Sequence, residues 1–389
     1  MTGPESCNRY AIRRLTVTDF RCYERLRLDV AAGSVVLTGP NGAGKTNVLE
    51  ALSLLVPGRG LRRARMSEIS RRAAGEPALA NCRPWAVAVQ AEGPGGIVDL
   101  GTGFTASEDG GPERRTVRVN GETMRAQSAL ADDMGMHWLT PQMDRLFQDG
   151  APARRRFLDR LVYGWDPAHA GRVSSYEQAM RQRLKLLRDT AHPDPAWLSA
   201  LEETMAARGT AVAAARTDVI SRLAGVAQEN WGPFPGANLA LQGDIDGWLA
   251  NGPALAAEDR FRAALAADRH EDGRLGRTHT GPHRSDMIVR HAPKGDLAAR
   301  CSTGEQKALL IAMILANARV RAAEEGGVPV LLLDEVAAHL DAERRGALFE
   351  GLTDLGAQVW FTGTDAETFA PLSGVAQFFK IEEGAVSAA

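Results

Sequence analysis

The run Gly39-Pro40-Asn41-Gly42-Ala43-Gly44-Lys45-Thr46 constrains this chain more than any other feature, because it fits G-x-x-x-x-G-K-[ST] in full. Strand-like residues Ser34–Leu37 lead into it, and helical apolar spacing follows from Thr46 to Leu55. Such a loop wraps phosphates with backbone N–H groups, which side chains at the glycines would block, and the helix N-terminus adds its positive end. In this reading Lys45 reaches the β- and γ-phosphates and Thr46 holds Mg2+ through its hydroxyl, so ATP and Mg2+ are the expected ligands.

A second segment complements the loop. Val328–Leu333 reads as a continuous buried strand ending in Asp334 and Glu335. Carboxylates at the carboxyl end of a central strand lie beside a nucleotide crevice. There Asp334 is expected to orient the Mg2+ shell, and Glu335 to polarise the attacking water as general base.

Ser302-Thr303-Gly304-Glu305-Gln306 precedes an apolar helix from Lys307 to about Val320. Locally it reads as a helix N-cap. Placed about 30 residues ahead of the Asp-Glu strand, it also resembles the signature of ABC-type ATPases, which assigns Ser302 and Gly304 to phosphate binding. His339-Leu340-Asp341 resembles the D-loop of those proteins, and Gln142 stands where they place a lobe-linking glutamine, a further candidate for nucleotide or Mg2+ contact. Thr362-Gly363-Thr364-Asp365 ends the last strand without the switch histidine many of them carry there. His279 and His283 lie four apart, but Gly281-Pro282 between them breaks a helix, so the loop reads as structural or nucleotide-adjacent and not as a zinc site.

Net charge is −2, so bulk electrostatics announce no nucleic-acid partner. Of the 46 basic residues only five are lysine, a bias that codon usage also produces, so any DNA reading must rest on local clusters. One runs from Arg154 to Arg188, where nine basic residues face three acidic ones; its candidates for phosphate-backbone contact are Arg154, Arg155, Arg156, Arg181, Arg183 and Lys185. A second, Arg59–Arg72, contributes Arg62 and Arg63. Solvated helix faces explain such clusters equally well.

No apolar run approaches the roughly 18–20 residues that span a bilayer, and Met1–Tyr10 has no apolar signal segment. Cys7, Cys22, Cys82 and Cys301 are scattered, so the expectation is a reduced cytoplasmic protein with no membrane partner. The β-like runs Ile12–Phe20, Leu26–Val30, Trp85–Gln90, Ile97–Leu100 and Thr116–Val119, with a hairpin turn at Asn120-Gly121, give way after Gly150 to Ala-, Leu- and Arg-rich helical sequence. Strands return at Asp286–Arg290 and Gln358–Thr362. The expected fold class is α/β: an ABC-type ATPase head with a mixed β-sheet and flanking helices, split into residues 1–150 and 271–389 by a helical arm at 151–270.

Taken together, the motifs resemble the RecF family, bacterial DNA-repair ATPases related to the SMC proteins. The residues that carry the resemblance are Asp19-Phe20-Arg21-Cys22-Tyr23, the phosphate loop through Asn47 with Glu50, Arg154–Asp159, Thr278-His279-Thr280-Gly281-Pro282-His283-Arg284, the Ser302–Gln306 signature, and Leu333-Asp334-Glu335 through Asp341. The Thr-His-Thr-Gly-Pro-His-Arg stretch is the most specific of these. The resemblance implies an ATP-dependent dimer that binds double-stranded, gapped or junction DNA, with weak DNA-stimulated hydrolysis. It further implies partnership with RecR, with or without RecO, in loading RecA during recombinational repair and the SOS response. In the ABC architecture Ser302 completes the partner's site, so two ATPs are sandwiched between two chains and hydrolysis releases them. Competing readings are a transporter-type nucleotide-binding subunit, which usually lacks so large a helical insertion, and an SMC-like structural ATPase, which would show long heptads.

Overall fold

The computed structural model describes residues 9–71, 83–105, 114–131, 133–189, 193–324 and 327–388. Cys7, Arg72 and Cys82 lie outside the described residues.

Chain order begins with three strands, β1 (Ala11–Phe20), β2 (Tyr23–Asp29) and β3 (Ser34–Thr38). The phosphate loop follows β3 and opens helix α1 (Lys45–Ser53), and a short α2 (Met66–Ile69) leads to β4 (Trp85–Gly93). Then come β5 (Gly96–Thr105), β6 (Arg114–Val119), β7 (Glu122–Met124) and β8 (Met136–Leu139). The β6–β7 turn is Asn120-Gly121, both at positive φ (50° and 85°), as a two-residue hairpin with right-handed strand twist requires.

The middle of the chain is mostly helical. It holds α3 (Ala151–Tyr163), α4 (His169–Asp189) and the long α5 (Pro195–Gln228), which starts on an Asp194 cap with Pro195 in its first turn. β9 (Ala237–Gln242), α6 (Asp244–Ala250), α7 (Ala254–Ala267) and α8 (Arg269–Leu275) come next, then β10 (Asp286–His291) and α9 (Thr303–Glu324). The chain closes with β11 (Val330–Asp334), α10 (Ala342–Asp354), β12 (Val359–Gly363), β13 (Ala376–Glu382) and β14 (Ala385–Ala388).

Two compact units result. The first takes the described residues up to Met143, Gly232–Phe234, and those from Ile314 onward. It is built on two six-stranded sheets, one antiparallel in the order β2-β1-β4-β5-β6-β7 and one in the order β14-β13-β3-β12-β11-β8. In the second sheet β13, β3, β12, β11 and β8 are parallel, and β11 and β12 are buried along their whole length, as strands covered on both faces must be. The second unit takes Asp144–Trp231 and Pro235–Met313.

These unit boundaries differ from the 150 and 270 expected from the sequence. β10 pairs antiparallel with β9 in a two-stranded sheet, which keeps residues beyond 270 with the helices, and the second boundary falls inside α9. The inserted unit is therefore not purely helical. No described helix is long and apolar enough to cross a membrane.

Candidate functional site

In a parallel sheet the carboxyl ends of all strands share one edge, and ligands bind there. Register in the first unit sets Gly363 opposite Thr38, Asp334 opposite Thr362, and Leu333 opposite Leu139. The phosphate loop after β3, the acid pair ending β11, Thr362 on β12 and the turn after β8 thus meet at one edge. Gln142 lies in that last turn, on an exposed 3-10 segment Pro141–Arg145.

The loop itself is shaped by its glycines. Gly39 sits at φ 145°, and a Cβ there would come within 2.1 Å of the Ile381 carbonyl oxygen. Gly44, at φ 117°, would place a Cβ 2.6 Å from the Tyr23 hydroxyl and 2.8 Å from Cys22 Sγ. That hydroxyl donates to the Gly44 carbonyl at 3.0 Å, so Tyr23 buttresses the loop from behind. Gly44 is also the N-cap of α1 and supplies no side-chain cap. Of the first-turn N–H groups, that of Asn47 turns back to the Gly44 carbonyl at 2.9 Å, while those of Lys45 and Thr46 head the helix, where a phosphate fits.

Lys45 is 4% exposed and its ammonium donates to the carbonyls of Gly39 at 2.7 Å and Pro40 at 2.9 Å. Burial holds its pKa below the ordinary lysine value, while Glu335 and Asp334 oppose that shift and favour the cation. Thr46 Oγ1 donates to Asp334 Oδ1 at 2.9 Å, and Thr362 Oγ1 donates to the same oxygen at 2.8 Å. Burial raises the Asp334 pKa, and these two hydroxyls pull it back. A hydroxyl and a carboxylate in contact beside a buried ammonium match what a phosphate-bound Mg2+ needs for anchoring.

Glu335 follows at φ 53°, a left-handed conformation that costs a non-glycine residue on the order of 1–3 kcal/mol. Its backbone N–H donates to Thr362 Oγ1 at 2.9 Å. Such strain persists where the surroundings over-determine it, and it collects at functional positions.

Beside the loop, Glu50 is 1% exposed and accepts from Arg21 Nε at 2.9 Å, Arg21 Nη2 at 2.6 Å and Arg62 Nη1 at 3.0 Å. Arg62 Nη1 also donates to Asn47 Oδ1 at 2.7 Å, and Asn47 donates to Cys22 Sγ at 3.1 Å. Arg62, expected as a DNA contact, is thus committed to the neighbourhood of the loop. Arg63 is exposed at φ 58°.

Ser302 and Gly304 belong to the second unit and are exposed at the start of α9. Ser302 forms a capping box with Glu305: its N–H donates to Glu305 Oε2 at 2.9 Å, and the Glu305 N–H donates to Ser302 Oγ at 3.3 Å. Lys294 and Ser302 hold the Glu305 pKa down to about 2. Asp341, in the first unit, caps α10 by accepting from the Arg344 N–H at 2.8 Å.

The basic cluster of the second unit divides sharply. Arg183 requires a correction: it is fully buried, with its guanidinium bonded to Glu202 at 2.9 Å, Asp272 at 2.6 Å and the Leu265 carbonyl at 2.6 Å. It is a core ion-pair residue and does not face a DNA phosphate. Arg154 forms a two-pronged pair with Asp286 (2.7 and 2.8 Å), and Arg155 donates to the Ser285 carbonyl at 2.6 Å. Arg156, Arg181 and Lys185 are exposed, Arg181 beside Glu177 at 3.5 Å.

The histidines of the Thr278–Arg284 loop serve that unit's interior. His279 Nδ1 lies 2.7 Å from Asp272, and His283 lies 2.6 Å from the Tyr176 hydroxyl and 3.0 Å from the Thr278 carbonyl. Nearby, Asp159 is held by Arg216 at 2.8 and 2.9 Å and by His169 at 2.8 Å. The Thr362 bridge and the Glu50 ion pairs were not legible from the sequence. In the sequence Thr362 stands out only for the absence of a switch histidine beside it, and Glu50 and Arg21 only through the family resemblance.

The RecF/RecN/SMC N-terminal domain family matches residues 11–387 of the chain. A DNA replication and repair protein RecF from Mesorhizobium japonicum is 48% identical over 377 residues, covering 96% of this chain and 97% of its own. Its counterpart from Rhizobium etli is 46% identical over 381 residues, covering 97% and 99%. Among solved structures, the recombination mediator RecF with ATP, of the RecFOR pathway, shares the fold at a TM-score of 0.82 and 20% identity, covering 100% of both chains. An SMC head domain from Pyrococcus furiosus shares it more distantly, with a TM-score of 0.51 at 15% identity, covering 98% and 96%. The head is therefore of the RecF and SMC type, and the chain belongs to the RecF family of DNA replication and repair proteins.

Proposed function

We propose that the chain is an ATP-driven DNA-binding protein of recombinational repair, in which ATP closes a dimer on DNA and hydrolysis opens it. The observation that carries this reading is the meeting of Lys45, Thr46, Asp334 and Glu335 at one sheet edge. Near-full-length identity to RecF proteins supports it over a transporter subunit.

In this reading the loop N–H groups and Lys45 bind the phosphates, Thr46 and Asp334 hold Mg2+, and Glu335 takes a proton from the attacking water as general base. Mg2+, when bound, neutralises charge developing on the phosphate oxygens. Gln142 and Asp341 serve as further contacts to nucleotide or metal. Ser302 and Gly304 bind the partner copy's ATP, so the nucleotide acts as removable glue between two chains. The DNA is double-stranded, gapped or at a junction, and the hydrolysis is weak and DNA-stimulated. RecR, with or without RecO, acts with the dimer in loading RecA, and the setting is cytoplasmic.

Sedimentation with and without ATP, and with and without gapped duplex, tests dimerisation and DNA binding together. A species that stays monomeric with saturating ATP and does not bind the duplex defeats the proposal.

A further inference from the structure

We infer that Thr362 is a positioning residue for ATP hydrolysis, a role that rests on the ATPase reading above. Its hydroxyl bridges the metal-anchoring carboxylate and the backbone of the proposed general base.

The geometry follows from hydroxyl chemistry. A threonine hydroxyl has one proton to give and lone pairs to accept with. Here the proton goes to Asp334 Oδ1 at 2.8 Å, and a lone pair takes the Glu335 N–H at 2.9 Å. Two consecutive residues of the acid pair are therefore tied to one atom on the neighbouring strand. Strand register supplies the placement, since Thr362 lies directly beside Asp334 in the β11–β12 ladder and is 1% exposed.

Each tie has a distinct consequence. Thr46 and Thr362 bond the same Asp334 oxygen from two sides, which orients the carboxylate. The Glu335 N–H tie restrains the peptide just ahead of a residue at φ 53°, a conformation that survives only where neighbours hold it. Partners of this kind tune ligands they do not replace.

A threonine in a buried strand also has a packing explanation, because β-branched residues suit a pleated surface. Valine satisfies packing equally well, but only a hydroxyl can bridge. Thr362→Val and Thr362→Ser therefore separate the two explanations.

The experiment compares wild type, T362V and T362S by calorimetric ATP binding, steady-state hydrolysis, and amide exchange at Glu335 in the nucleotide-free protein. In T362V, kcat falls about 10–100-fold. ATP affinity in T362V stays within about threefold of wild type, because every loop contact is retained. Exchange at the Glu335 amide accelerates roughly 3–10-fold once its acceptor is removed. T362S recovers most of the lost rate and the protection.

Wild-type kcat in T362V, unaltered exchange there, or equal impairment in T362S and T362V overturns the inference. Should T362V fail to fold, Thr362→Ala is read against T362S in the same way. A wild-type chain that binds ATP and never hydrolyses it overturns the ATPase reading itself, and Thr362's role in hydrolysis with it.

Discussion

Thr46 and Asp334 lie 288 positions apart in the chain, and the hydroxyl of one donates to the carboxylate of the other at 2.9 Å. The first residue opens the helix after the phosphate loop, and the second ends a fully buried strand that begins only after the inserted unit. Parallel pairing through β12 joins β3 to β11 and sets the two at the same sheet edge. The site is thus assembled by topology, from segments far apart in the chain.

Lys45→Ala removes a buried ammonium and leaves the shape of the Gly-rich turn to its glycines. The fold is retained, and calorimetry shows ATP affinity reduced about 10–100-fold, the range expected for charge-assisted hydrogen bonds. Unchanged affinity removes Lys45 from the site.

Glu335→Gln keeps side-chain shape and loses basicity. ATP binding persists, hydrolysis drops by about 10²–10⁴, and the ATP-bound dimer accumulates in sedimentation. If the variant turns over at the wild-type rate, the base lies elsewhere.

What the sequence made legible were features fixed by local chemistry. The phosphate loop, the apolar strand ending in Asp334-Glu335 and the Asn120-Gly121 turn each need particular residues at particular spacings, so each can be read in one dimension. Burial of charge cannot be read that way. Arg183 and Arg181 are two residues apart in one arginine-rich run, yet one is in the core with Glu202 and Asp272 and the other is exposed. Only the rotation of α4 separates them. The unit boundary near 313 was hidden for a related reason, since it depends on β10 pairing with β9 across the segment that carries α6, α7, α8 and the Thr278–Arg284 loop.

Ser302 caps α9 and is also proposed to meet the partner copy's ATP, and two substitutions tell the two apart. Ser302→Ala breaks the capping box with Glu305 and lowers stability by about 1 kcal/mol. Ser302→Arg places a bulky cation where the partner copy's phosphate is proposed to sit, so each chain binds ATP but sedimentation shows no ATP-dependent dimer. A dimer of equal strength takes Ser302 out of the shared site.

Stability should depend on His283 in mildly acidic solution. Burial holds its pKa down to about 4 from 6.5; Arg155 and Arg284 also disfavour the cation, while the Thr278 carbonyl and Asp272 oppose them. Between those values the unfolded chain binds more protons than the folded one, so stability is intact above pH 6.5 and falls as pH drops towards 4. The loss amounts to about 3 kcal/mol. Asp159 acts in a lower window: burial alone would raise its pKa, but Arg216 and His169 hold it below the ordinary 3.8, so its contribution is lost only beneath that value. Melting temperatures of wild type and His283→Gln across pH 4–7 check this, and parallel curves would show that His283 titrates normally.

The proposed DNA contact depends on which basic side chains of α4 reach solvent. With Arg183 in the core, the residues of α4 left to meet a phosphate backbone are Arg181, Lys185 and Arg188, all exposed and spaced i, i+4 and i+7. That spacing puts them along one helix face. Each side chain that stops neutralising a phosphate should lower the salt slope of log affinity by about 0.9, so replacing all three with Gln should flatten it by up to about 3. ATP binding stays as in wild type, because none of the three belongs to the nucleotide motifs. Arg183→Gln behaves differently. It leaves Glu202 and Asp272 buried with a partner removed, a loss of about 3–5 kcal/mol that lowers the melting temperature whether or not DNA is present. DNA affinity at several salt concentrations with ATP present decides the matter: an unaltered slope in the triple variant makes this face merely solvated and turns the search to Arg59–Arg72.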